Sequence, residues 1–191
     1  DEGLCDTDPD LKSAMAWYQK AADADDPDAE FALGCIYSMP RTKYSDDREA
    51  ARMFGRAAEN GHAEAQYQIG MMYAYGQGVP RDPSMAKKYL EKSCEGEYQQ
   101  AMVDYGQVLP KDYETAAKWF TVAANRCNGY AQYALGCMYA SGYHFPQNST
   151  EAIRWFREAA EMGEVNSQYA LACFYYEGRG VEKDEKEAVM A

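Results

Sequence analysis

Histidine is nearly missing from this sequence, with two residues in 191. A histidine-rich catalytic or metal site is disfavoured on that count alone. Basic residues are also scarce: 19 lysines and arginines stand against 31 acids, a formal net charge of −12. Binders of nucleic acid need a basic footprint to displace counterions from phosphate, so that class of partner is not expected. No stretch approaches the roughly 18 uninterrupted apolar residues of a spanning helix, and membrane insertion is not expected either. The first residues carry no basic segment followed by an apolar run, so no signal peptide is read there. The six cysteines include no C-x-x-C pair. Nothing matches a nucleophile elbow, a P-loop, a dinucleotide fingerprint or a zinc-binding helix. Neither a cofactor nor a catalytic group is therefore assigned.

What the sequence has in abundance is itself. Ala-Leu-Gly-Cys-Ile-Tyr, ending at Tyr37, returns as Gln-Ile-Gly-Met-Met-Tyr ending at Tyr73 and Ala-Leu-Gly-Cys-Met-Tyr ending at Tyr139. It returns again as Ala-Leu-Ala-Cys-Phe-Tyr ending at Tyr175, with a weaker copy ending at Leu109. The steps are 36, 36, 30 and 36 residues. Small pairs keep the same steps: Ala21-Ala22, Ala57-Ala58, Ser93-Cys94, Ala123-Ala124 and Ala159-Ala160. A third register, Asp10, Asp46, Asp82, Asp112, Asn148 and Asp184, consists entirely of preferred helix N-caps. Each unit therefore reads as a helix A carrying the glycine motif, a loop, a helix B running from the cap to the small pair, and a tight turn. The glycines at 34, 70, 106 and 136 suit a close A–B crossing. Trp17, Phe54, Leu90, Trp119, Phe120, Trp155 and Phe156 are expected to fill the space between units.

A 36-residue unit with A-x-x-x-L-G-x-x-Y, a G-x-G-V loop and a W-x-x-x-A-A tail resembles the Sel1-like repeat, a relative of the tetratricopeptide repeat. The best copies run from Ala65 to Val79, with Gly76-Gln77-Gly78-Val79, and from Ser167 to Val181, with Gly178-Arg179-Gly180-Val181. Two departures stand out. Pro40 and Thr42 replace the loop glycines of the first full unit, and the third unit lacks six loop residues, Pro110 and Lys111 alone joining Leu109 to Asp112. The resemblance implies an all-α, right-handed superhelical solenoid of helix-turn-helix repeats, with helix A inside and helix B outside. The register makes residues 1–191 a single array. A partial unit over 1–27 has helix B only, full units cover 28–62, 63–97, 98–128 and 129–164, and a truncated unit covers 165–191.

An enzyme would have to be built on His62 and His144, about 80 residues apart and without a matched nucleophile or carboxylate motif. A hydrolase or enzyme subunit with an unrecognised site is the alternative, and a spacer between domains outside this chain is a third reading. The leading expectation is a non-enzymatic scaffold or adaptor that binds a protein or peptide. By the register of the resemblance, the groove face of helix A carries Phe31, Tyr67, Tyr133 and Tyr169, then Cys35, Met71, Cys137 and Cys173 one turn on. Tyr75, Tyr130 and Tyr176 lie off the core pattern, where exposure is expected. Tyrosine offers large contact area at low entropic cost, and sulfur-bearing neighbours adapt to irregular partners. The cysteines are expected to be reduced packing thiols with no metal between them, the state a cytoplasmic setting favours. Arg48, Arg52 and Arg56 form an i, i+4 row on a helix B and are expected to be a solvated outer face.

Overall fold

The computed structural model describes residues 9–40, 42–109 and 111–181. Among these there are ten helices and no strand. They are α1 (Pro9–Ala22), α2 (Pro27–Ser38), α3 (Asp47–Glu59), α4 (Ala63–Tyr75) and α5 (Pro83–Glu95), then α6 (Gln99–Val108), α7 (Tyr113–Asn125), α8 (Gly129–Ser141), α9 (Ser149–Glu161) and α10 (Val165–Glu177). Odd-numbered helices are of type B and even-numbered ones of type A. From α1 to α5 and again from α7 to α10, helices adjacent in the chain pack on one another, most extensively within a repeat, as in α2 with α3, α4 with α5 and α8 with α9. The chain divides into two compact units, Asp1–Ala101 and Met102–Ala191.

The helix-B starts follow the cap register. The side chains of Asp46, Asp82, Asp112 and Asn148 each accept a hydrogen bond from a first-turn amide. The cap's own N–H reaches back to the tyrosine that closes the motif: Asp46 to the Tyr37 carbonyl at 2.8 Å, Asp82 to Tyr73 and Asn148 to Tyr139, each at 2.9 Å. One bond thus ties the start of helix B to the end of helix A in these three repeats. At the N-terminal end the register fails by two residues, because α1 begins at Pro9 and Asp10 lies inside its first turn. Asp184 lies outside the described residues.

Helix B ends in a Schellman turn, whose C′ residue takes the left-handed conformation that glycine adopts without strain. Gly61 and Gly163 do so, with φ of 89° and 84°. The same position in the other repeats is filled by Asp25, Glu97 and Cys127, all near 60°. A side chain there costs on the order of 1–2 kcal/mol. The turn recurs all the same, its closing amide bonding the carbonyl of the first residue of the small pair: His62 N–H bonds the Ala57 carbonyl, Asn128 bonds Ala123 and Glu164 bonds Ala159.

The cores repeat as well. Phe54, Leu90, Phe120 and Phe156 are buried, each facing the helix-A glycine of its own repeat. Trp17 departs from expectation. It is 70% exposed, with the Lys20 ammonium 4.4 Å over its ring, because no described helix precedes α1 to cover that face.

Candidate functional site

In the first unit, α2 and α4 carry Phe31, Cys35, Tyr67, Met71 and Tyr75. Phe31 stacks on His62 at 4.4 Å between ring centroids and tilts against Phe54 at 5.7 Å. Tyr67 tilts against Tyr98 at 5.2 Å. In both cases the ring leans on a residue 31 positions later, at the start of the next helix A. Cys35 and Phe31 are half-buried and pack on the core around Ile69. Met71 is half-buried as well, whereas Tyr75, at the end of α4, is 63% exposed. The Tyr98 hydroxyl lies 3.3 Å from Glu64 Oε1, which places a carboxylate among these rings. Burial first, and the Glu64 charge second, push the Cys35 thiol up, so it is poorly nucleophilic.

In the second unit, α8 and α10 carry Tyr130, Tyr133, Cys137, Tyr169, Cys173 and Tyr176. Tyr133 packs against Tyr130 at 6.3 Å and Phe156 at 5.8 Å. The Tyr130 hydroxyl accepts a hydrogen bond from Gln107 Nε2 at 2.8 Å. Tyr130, Cys137 and Cys173 are half-buried, and Tyr176 is exposed. Tyr169 shares the register of Tyr67 and Tyr133 yet is far more open, at 74%, since no described residue packs a ring over it.

Tyr133 is the most perturbed phenol. Its hydrogen bond to Cys137, then burial, push its pKa up to about 12. The fold therefore favours the neutral phenol. The stability that follows is fully present below about pH 10, the ordinary phenol value, and is lost as pH rises towards 12. Denaturant unfolding at pH 9 and pH 12 is expected to show a steeper alkaline loss for the native chain than for Tyr133→Phe. Parallel losses in the two proteins would contradict the assignment.

The two histidines have structural positions. His62 is the N-cap of α4: its Nδ1 accepts from the Ala65 amide at 3.1 Å, and Nε2 lies 3.5 Å from Asp28 Oδ1. It belongs to a second cap register, with Asp26, Asn128 and Glu164 starting the other helices of type A. His144 sits in the loop after α8 with φ of 66°, where the second repeat has Gly78, and its ring meets Phe145 edge-on. No group of three His, Cys, Asp or Glu suited to a metal occurs among the described residues. No disulfide joins any of the five cysteines described, 35, 94, 127, 137 and 173. No described helix is long and apolar enough to cross a membrane.

The arginine row is not a uniform solvated face. Arg52 is held by Glu49, with Nη2 2.8 Å from Oε2. Arg56 turns inward: its Nη2 lies 2.7 Å from Oε1 of the fully buried Glu30 and donates at 2.7 Å to the Ala22 carbonyl. The pairing of two residues 26 positions apart on different helices has no signature in local spacing.

Stacked A–B hairpins with a repeated glycine crossing and a repeated Schellman turn define an all-α repeat protein. A profile of the Sel1 repeat matches residues 1–26, 27–62, 63–98, 101–126, 129–164 and 165–190, and the chain belongs to the Sel1 repeat family. A protective antigen of uropathogenic Escherichia coli strains, which displays this fold, superposes on 92% of the chain with a TM-score of 0.81 at 28% identity, the match covering 39% of the antigen. A Sel1 repeat protein from Oxalobacter formigenes covers 98% of the chain with a TM-score of 0.80, also at 28% identity, over 56% of its own length. The chitin synthase regulator SKT5 of Saccharomyces cerevisiae is 29% identical over 146 residues, 70% of this chain and 21% of the regulator. The chain thus spans about a fifth to rather more than half of these proteins' lengths. Sel1 repeats commonly serve as protein-interaction modules, and their proteins are typically non-enzymatic scaffolds.

Proposed function

We propose that this chain is an interaction scaffold that holds an extended peptide or a helix of a partner protein against its helix-A faces. The observation that supports it most is the repeated row of part-exposed rings and soft side chains on those helices. In the first unit it runs through Tyr67, Met71 and Tyr75, and in the second through Tyr130, Tyr133, Tyr169 and Tyr176. Such rings are the usual anchors of interfaces. Tyr133 and the Cys137 thiol beside it stay neutral at ordinary pH, and the neighbouring carboxylate of the first unit is Glu64. The partner segment that fits is therefore apolar with a basic residue, rather than one presenting a free carboxylate.

The test is a selection from a random peptide display library, with the chosen peptides titrated calorimetrically against native and substituted chains. Tyr75→Ala, at an exposed position, is expected to weaken a peptide bound to the first unit by about tenfold or more, equivalent to roughly 1.4 kcal/mol. Circular dichroism of the variant should stay unchanged. Failure to select any peptide, or selection of peptides indifferent to Tyr75, Tyr67 and Tyr176 alike, would remove the helix-A faces as the site.

A further inference from the structure

A cavity of about 330 Å³ lies in the first unit, bounded by α3, α4, the loop at Val79 and α5. Comparison between repeats shows why it exists. In the last full repeat, Arg157 of α9 crosses to the hydroxyl of Tyr175 and donates a hydrogen bond to it. The positions equivalent to Arg157 and Tyr175, 102 residues earlier, are Gly55 and Tyr73. Gly55 has no side chain to make that bond, and a Cβ built there meets nothing within 4 Å. A glycine inside a helix is less favourable than an alanine there, so the space is kept at some expense in stability.

The walls are chemically distinct. Arg48, Arg52 and Arg56 line the side contributed by α3. α7 has Glu114, Lys118 and Val122 in the same three slots, and α9 has Thr150, Arg154 and Glu158. The Arg48 guanidinium makes no ion pair or hydrogen bond to any described residue. Arg52 spends Nε and Nη2 on Glu49, and Arg56 spends Nη2 on Ala22, Glu30 and Asp25. Each guanidinium carries five donors, so both retain some. The hydroxyls of Tyr73 and Tyr89 bond no described residue, and the two rings stack at 5.9 Å and 3°. Burial, then Glu59, then Tyr73 push the Tyr89 phenol up, which keeps it a donor. Ile69, Val79 and Ala51 supply apolar surface. One carboxylate, Glu59, also lines the cavity, but it is eleven residues from Arg48, about 16 Å along the helix axis.

We propose that this cavity binds a small organic phosphate, a phosphomonoester with its phosphoryl group on Arg48 and Arg52 and an apolar body against Val79, Ile69 and the tyrosine pair. Guanidinium forks match phosphate oxygens, and a tetrahedral dianion offers them more acceptors than a carboxylate. The volume falls at the lower end of small-ligand sites, larger than a bare phosphate needs. The site takes Ile69 and Tyr73 from α4 but none of the rings named above as partner anchors, and it stands apart from the partner reading.

Isothermal titration of the chain with phenyl phosphate, with phenol and with inorganic phosphate tests the proposal. Phenyl phosphate is expected to bind saturably, more tightly than either of its halves. Arg48→Gln, at an exposed position, is expected to weaken binding by about tenfold or more. Gly55→Arg discriminates most sharply, since it restores the side chain found at Arg157, raises helix propensity and adds a positive charge. Filling the cavity should abolish binding although the surface becomes more basic, with circular dichroism confirming an intact fold. Unchanged or tighter binding to Gly55→Arg would mean diffuse charge attraction and overturn the site. Equal affinity for inorganic and phenyl phosphate would overturn the apolar subsite, and no saturable binding by the native chain would overturn the whole.

Discussion

Replacing Arg56 by alanine is expected to destabilise the chain by about 3 kcal/mol, and Glu30→Gln in the same background is expected to recover most of that loss. Glu30 is completely buried, in a slot that the second and fourth full repeats fill with Gln66 and Gln132, at 7% and 5% exposure. Gln66 Nε2 donates at 3.1 Å to the carbonyl of Ala58. The matching carbonyl, of Ala22, receives Arg56 Nη2 instead. Arg56 thus neutralises a buried carboxylate and satisfies a buried backbone acceptor. Its approach to Glu30 Oε1, though short, lies outside hydrogen-bond angles, and Asn60 Nδ2 donates at 3.2 Å to the other oxygen. Removing the guanidinium strands a charge, which typically costs about 3–5 kcal/mol. The lower end applies because the Arg56 side chain is 30% exposed and water can partly replace it. A glutamine at position 30 carries no charge and can repeat the bond that Gln66 makes. Urea unfolding of the native chain, both single variants and the double variant closes a mutant cycle. A loss in the double variant equal to the sum of the singles would refute the pairing.

Glu30 also marks where sequence reading stops. The helix-B caps were legible because the four described ones, Asp46, Asp82, Asp112 and Asn148, are all Asp or Asn and follow the 36, 30 and 36-residue steps of the other two registers. The helix-A caps share a position but not a type: Asp26, His62, Asn128 and Glu164 do the same work with four different side chains. A histidine in that list is invisible to propensity and invites a catalytic reading instead. Arg56 read as a solvated member of a charged row, since only the fold brings the 26-residue separation to Glu30 down to contact. The informative signal was a carboxylate alone in a slot otherwise held by Gln66, Met102, Gln132 and Gln168. The exposure of the helix-A rings was beyond reach for a different reason. Tyr133 and Tyr169 share register and local sequence, yet Phe156 of the next helix half-covers the first, while no described helix follows α10 and the second is 74% exposed. Register gives the face of a helix, and tertiary neighbours decide how much of that face remains.

The same substitution, glycine to alanine inside a helix, is expected to have opposite signs at two positions of this chain. At Gly136, on α8, a Cβ would lie 2.5 Å from Phe156 Cε1 and 2.6 Å from Cδ1. Phe156 cannot yield: it is 2% exposed, with Tyr133 at 5.8 Å and Phe174 edge-on at 5.6 Å. Overpacking of this kind costs about 1–3 kcal/mol, and a wedged ring puts it at the upper end. Alanine returns about 1 kcal/mol of helix propensity, leaving a net loss near 2 kcal/mol. At Gly55, on α3, the new methyl meets nothing within 4 Å, and the propensity gain of about 1 kcal/mol stands unopposed. The second repeat indicates the remedy, because Gly70 faces Leu90 rather than a ring, and its Cβ would meet Leu90 Cγ at 3.0 Å, a looser approach than the 2.5 Å to Phe156. Phe156→Leu should therefore restore part of the stability lost in Gly136→Ala, although each change alone destabilises. Thermal and urea unfolding of the four proteins decides the matter. If Gly136→Ala proved as stabilising as Gly55→Ala, the glycine motif would owe nothing to the closeness of the A–B crossing, and the repeat's most regular feature would need another cause.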